Sequence, residues 1–174
     1  VFSNEAGLGS APIAHAAAQT RNPINQGMVA MLGTFIDTII VCTMTGLVVV
    51  VTGAYLDTSL DGVAMTSAAF GSVIPWFPVV LSIAVFFFAF STMISWSYYG
   101  ERCASYLFGI RIIFIYRIFW IIAIFTGAII KLEIVWIFAD IANGLMALPN
   151  LIALLLLSPI IFIKTKDYFK KYNG

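Results

Sequence analysis

Four runs of this sequence are too long, too apolar and too poor in charge to form ordinary soluble helices. Residues 27–52 carry one charge, Asp37, residues 76–99 carry none, and residues 112–130 carry only Arg117. Residues 134–163 exceed what a single crossing needs, since about 20 residues of helix span a hydrocarbon core. Charged residues make up 10% of the chain. A soluble domain carries about 25%, so the remainder cannot offset these runs. The fold class this predicts is an all-α polytopic membrane protein. Its spans are placed at 27–52, 76–99, 111–131 and 134–163, the last bent or interrupted near Pro149.

Basic residues near span ends mark the cytoplasmic side. Arg21 precedes the first span, Arg102 and Arg111 lie between the second and third, and Lys164, Lys166, Lys170 and Lys171 follow the fourth. Four crossings put all three groups on one side, with residues 164–174 as a cytoplasmic basic tail. The other side then holds residues 53–75, an outer loop with Asp57, Asp61 and a short helix over the outer mouth. A net charge of +1 without a basic patch outside the tail gives no nucleic-acid footprint. Cys42 and Cys103 lack metal-like neighbour spacing and read as small packing residues. The first residue is not Met, so the chain reads as a fragment whose earlier part is missing.

That leaves VFSNEAGLGS at the head of the chain. Ser10 and Pro12 suit a helix start, and residues 11–18 are good helix formers, whereas Gly7 and Gly9 favour non-helical backbone. Residues 1–18 therefore read as an unwound segment and a half-helix, followed by a cytoplasmic loop over 19–26. Unwound backbone at membrane depth survives only when buried in protein or lining a cavity. Discontinuous helices of this kind build the substrate sites of secondary transporters, where bare N–H and C=O groups meet the ligand. A plain loop between two helices fits the same residues.

Ser91, Thr92 and Ser95 make a polar stripe on the second span, with Trp96 one turn beyond Thr92 on the same face. Hydroxyls and backbone carbonyls are hard oxygen donors such as dehydrated Na⁺ needs; such hydroxyls also bond their own helix backbone. Asp37 lies beside Thr34 and Thr38 in an apolar helix, where an ionisable group is costly and marks function or a structural pairing. Asp140 and Asn143 read as hinge or packing residues, His15 as packed or hydrogen-bonded near the inner mouth. Arg117 reads as snorkelling or paired with a carboxylate.

The run VFSNEAGLGSAPIAHAAA resembles the signature of the alanine or glycine:cation symporter family, sodium-coupled carriers with a LeuT-type fold. GMVAMLGTFIDTIIVCTMTGLVV, FAFSTMISWSYYGERC and ADIANGLMALPNLIALLLLS resemble it too, in the family's order over most of the chain. The resemblance implies the second inverted repeat of such a carrier, with the broken sixth core helix at its start and the first repeat absent. It implies a multi-pass protein of a bacterial or archaeal cell membrane. It further implies sodium at the Phe88 carbonyl, Ser91 and Thr92, and substrate at Phe2, Ser3, Asn4, Glu5, Gly7, Thr92 and Trp96. Backbone groups at 2–5 would hold the substrate's carboxylate or ammonium. Asn4 would be a side-chain partner, and Trp96 would limit side-chain size. Asp37 is a candidate for coupling.

The expected partners are alanine or glycine, Na⁺ as co-transported ion, membrane lipid and the missing N-terminal half, with no cofactor, no metal beyond sodium and no nucleic acid. The alternative is a membrane channel or a non-transporting membrane subunit, although a channel would want a continuous polar pore. An intramembrane enzyme would need a nucleophile with a base or paired metal ligands. One histidine and no HExxH or GxSxG pattern argue against it.

Overall fold

The computed structural model describes residues 5–172. Seven α-helices are present among them: α1 (Ser10–His15), α2 (Pro23–Phe35), α3 (Thr43–Thr52), α4 (Gly62–Val73), α5 (Phe77–Phe108), α6 (Ile112–Ile129) and α7 (Leu132–Tyr172). A π-helical segment, Ile36–Cys42, joins α2 to α3 without a break, and a 3₁₀ turn, Ala54–Leu56, follows α3. Four helical stretches are long and apolar enough to cross a membrane: Pro23–Thr52, Phe77–Phe108, Ile112–Ile129 and Leu132–Lys171. No strand occurs among the described residues.

The helix ends follow local chemistry. Asn22 Oδ1 accepts the Ile24 N–H at 3.0 Å, so Asn22 caps α2 and Pro23 takes the first helical position, where a missing N–H costs nothing. The helix thus begins inside the stretch 19–26 that the sequence suggests is all loop. Gly53, at φ 72°, closes α3 in the left-handed conformation that stops helices. α1 ends at His15, sooner than the expected Ala18, although single turn bonds carry on to Ala17 and Ala18.

The fourth span corrects the expectation of an interruption near Pro149. Pro149 and Pro159 both lie inside α7, yet the helix is continuous from Leu132 to Tyr172 and no interruption occurs at Pro149. Each proline removes one N–H and frees the carbonyl four residues earlier. At Pro159 that carbonyl is Leu155's, and Ser158 Oγ donates to it at 2.8 Å. A hydroxyl thereby supplies the bond the imide cannot, one of the ways apolar helices tolerate proline. With 41 residues α7 is about 60 Å long, roughly twice a hydrocarbon core, so its lysine-bearing end extends as helix beyond the apolar run.

Two compact units partition the chain, one of residues 31–96 and the other of residues 5–30 with 97–172. In the first, α4 packs on α3 and abuts the start of α5. Ala69 is fully buried, the Phe70 and Phe77 rings stack at 4.6 Å, and a Cβ on Gly71 would come within 2.9 Å of Pro78. In the second, α5 and α6 meet at Gly100, where any Cβ would strike the Tyr116 hydroxyl. Arg117, alone in charge within α6, reaches Glu101 with both Nε (2.5 Å) and Nη2 (3.1 Å). That bidentate pair fulfils the carboxylate reading of Arg117.

Candidate substrate and cation site

Residues 5–9 are not helical, and the reason is local. The Leu8 N–H bonds the Glu5 carbonyl at 3.2 Å, closing a turn in which Gly7 has φ +86°. Gly9 follows at φ +91° as the residue before α1. L-residues with a side chain rarely take either conformation, so the two glycines keep α1 from extending backwards. Ser10, only 4% exposed, donates from Oγ to Glu5 Oε2 at 2.6 Å and ties the turn to the helix it precedes.

The same stretch is anchored from α7. Asn150 Nδ2 donates to the Gly7 carbonyl at 2.9 Å. A Cβ on Gly9 would lie 3.2 Å from Asn150 Cβ and Cγ, so the close approach depends on a bare α-carbon. At the other end of α1, His15 Nδ1 and Gln26 Nε2 are 2.6 Å apart, and Tyr168 donates its hydroxyl to Asn25 Oδ1 at 2.7 Å. His15 is therefore hydrogen-bonded, as one of its two readings had it. Of the expected substrate residues, Glu5 and Gly7 lie in the turn; Phe2, Ser3 and Asn4 lie outside the described residues.

The oxygen donors of α5 are arranged differently. Ser91 Oγ donates to the Phe88 carbonyl at 3.0 Å, so two of the three expected sodium oxygens are brought together, but through a bond within one helix. Ser91 and Thr92 are exposed and Trp96 is half-buried. A hydroxyl can turn its proton away and present a lone pair alongside the carbonyl, a pair of hard donors with room for further ligands.

Asp37 is half-buried near the start of the π-helical segment. The wider turn, unforeseen in the sequence, disrupts the ordinary i→i−4 ladder where the acid sits, a distortion frequent at functional sites. Asn150 was also not singled out as a site residue. Its signal was a lone amide between Pro149 and an uncharged run that lasts to Ile163.

Over residues 1–174 the sequence matches the profile of the sodium:alanine symporter family. The chain belongs to that family. It is 53% identical, over 98% of its length, to a protein of Haemophilus influenzae described only as a transporter. It is 50% identical, over 97% of its length, to the sodium/alanine symporter AgcS of Methanococcus maripaludis. A Bacillus subtilis relative named "Probable sodium/glutamine symporter GlnT" is 39% identical over 98% of the chain. The chain spans 38%, 38% and 36% of the lengths of these three relatives. No solved structure matches. Family membership and four apolar helices make this a multi-pass membrane protein from a family of carriers, not enzymes.

Proposed function

We propose that this chain is the substrate- and sodium-binding second repeat, in a LeuT-type arrangement, of a carrier that imports a small neutral amino acid with Na⁺. The observation that carries the reading is the non-helical turn at residues 5–9, fixed by two positive-φ glycines and bonded to α7, in a member of the sodium:alanine symporter family. Asn150 precedes the first charge of the α7 tail, Lys164, by 14 residues, about 21 Å of helix rise. The turn it holds would then lie inside a core roughly 30 Å thick, where unwound backbone must face protein or a cavity.

The substrate contacts would be backbone groups of the opening stretch with Asn4. The Glu5 carboxylate makes this stretch electronegative, which suits the substrate's ammonium better than its carboxylate. Thr92 and Trp96 are the groups proposed to face substrate from α5, with Trp96 limiting its side chain to the size of alanine or glycine. Sodium would bind the Phe88 carbonyl with the Ser91 and Thr92 hydroxyls, its remaining oxygens coming from parts of the carrier outside this chain. Binding there would fix the face of α5 that bears Trp96, so ion and substrate would share one geometry. Asp37, set in the π-helical turn, would serve coupling. The carrier would sit in a bacterial or archaeal cell membrane with the lysine-rich end of α7 in the cytoplasm.

Uptake of radiolabelled alanine by the full-length protein tests this. The expected result is uptake that requires a sodium gradient and is competed by glycine more strongly than by glutamine. Replacing Na⁺ by choline at constant proton gradient separates sodium from proton coupling. Uptake that ignores sodium overturns the ion assignment, and no uptake of any small neutral amino acid overturns the substrate assignment.

A further inference from the structure

We propose that Asn150 of α7 is a positioning residue for the glycine turn, fixing the backbone that would receive the substrate without touching substrate itself. The inference rests on the reading of residues 5–9 as part of the substrate site. Three observations converge on it. The Asn150 amide donates to the Gly7 carbonyl at 2.9 Å, across 143 positions of sequence. Gly7 holds φ +86°, and among the described residues nothing lies within 4 Å of where its Cβ would be, so side-chain packing by them at that carbon does not hold the conformation. Gly9, two residues on, is the bare carbon against which the Asn150 side chain rests. One amide thus spans both glycines of the turn.

The chemistry explains the residue type. A carbonyl at a positive-φ position is turned out of any helical ladder and must find a donor when water is scarce. Asparagine offers a neutral N–H donor on a short side chain, adding no charge next to the Glu5 carboxylate. Pro149, immediately before it, leaves the helix through which Asn150 is delivered with one backbone bond fewer. Losing the amide would free the Gly7 carbonyl to reorient and spread the turn over several conformations. Substrate would then bind only the fraction correctly folded, raising its apparent KM while leaving the maximal rate intact.

The test uses the full-length carrier with Asn150→Leu, which keeps most of the volume and removes the donor, and Asn150→Ala, which removes both and cannot overpack. Two readouts are taken: amide exchange of the peptide covering residues 6–10, and alanine KM against maximal rate per folded carrier. Both variants are expected to speed exchange of that peptide and raise KM by about fivefold, the worth of one lost hydrogen bond, with maximal rate within about twofold of wild type. Unchanged exchange and KM in either variant overturn the proposal. So does a loss of maximal rate or of folded protein with KM unmoved, which marks a residue that is structural only. Should wild-type protein transport no amino acid, the proposed function fails by itself. The exchange of residues 6–10 then still reports whether Asn150 fixes the turn.

Discussion

The two units differ in how far their polar side chains reach, although both hold hydroxyls bonded to their own helix, as Ser158 is to Leu155. In residues 5–30 with 97–172, side chains bridge different elements: Asn150 to Gly7, Tyr168 to Asn25, Arg117 to Glu101, His15 to Gln26. In residues 31–96, hydroxyls turn back on the chain that bears them. Thr45 bonds Val41, Thr52 bonds Val48, Ser82 bonds Pro78 and Ser91 bonds Phe88. A bridged polar group has its geometry set by the rest of the unit. A self-bonded hydroxyl gives up its partner cheaply, because the carbonyl it leaves keeps its own place in the helix ladder. The first arrangement suits a site that must hold one shape for substrate. The second suits oxygens that exchange a weak local bond for an arriving cation.

The contrast breaks most visibly at Gly7. Gly7→Val places a β-branched residue at φ +86°, where none is comfortable, so the turn cannot keep its form. Transport is expected to be abolished while membrane insertion persists, since the long apolar spans dictate insertion. Uptake and membrane-extracted protein measured together decide it; normal uptake by this variant would make residues 5–9 an ordinary loop.

A smaller effect should follow at the hydroxyl next to the self-bonded Ser91. Thr92→Ala removes one hard donor without disturbing a bridge between elements. The sodium needed for half-maximal uptake should rise by roughly tenfold, corresponding to about 1.4 kcal/mol, with abundance unchanged. A sodium titration that overlays the wild type would leave Thr92 as a lipid-facing or packing hydroxyl.

Cutting a bridge away from the turn sharpens the comparison. Arg117→Ala leaves the Glu101 carboxylate, whose side chain is only 16% exposed, without its bidentate partner. A loss of stability is expected, visible as a lowered melting temperature, with sodium half-saturation unmoved. A shift in sodium affinity instead would mean that bridges of this unit reach the cation oxygens.

The smallest effect is expected in the loop after α3, at residues 57–60. Asp57 accepts the Ser59 hydroxyl at 2.6 Å and its N–H at 3.0 Å, and these bonds hold its carboxyl below the usual carboxylate range. A depressed folded pKa means the contribution is present above the unfolded pKa and is lost as pH falls through the folded value. Acidification below the ordinary carboxylate range should therefore loosen residues 57–60, and Asp57→Asn should do so at neutral pH. Amide exchange of the loop reads both, and uptake at neutral pH should not change.

Much of this could be read from the sequence because hydrocarbon leaves few options. Runs such as 76–99 have no way to satisfy their backbone in lipid except as helix, so span number and rough limits follow from composition alone. Paired glycines before Ser10 likewise announce unwound backbone, since φ is a property of single residues. Pro149 misled as a sign of interruption, for a complementary reason. A proline signals a break only when the lost bond has no substitute, and an apolar helix finds one or tolerates the loss rather than expose several groups at once. The π-helical turn at Asp37 has no residue signature comparable to Gly or Pro. What only the tertiary structure decided is which polar groups meet. Asn150 and Gly7 are 143 positions apart, and no local rule pairs an amide with a carbonyl at that distance. Periodicity and propensity act over a turn or two of chain, whereas such a bond exists only after α7 has packed alongside the opening segment.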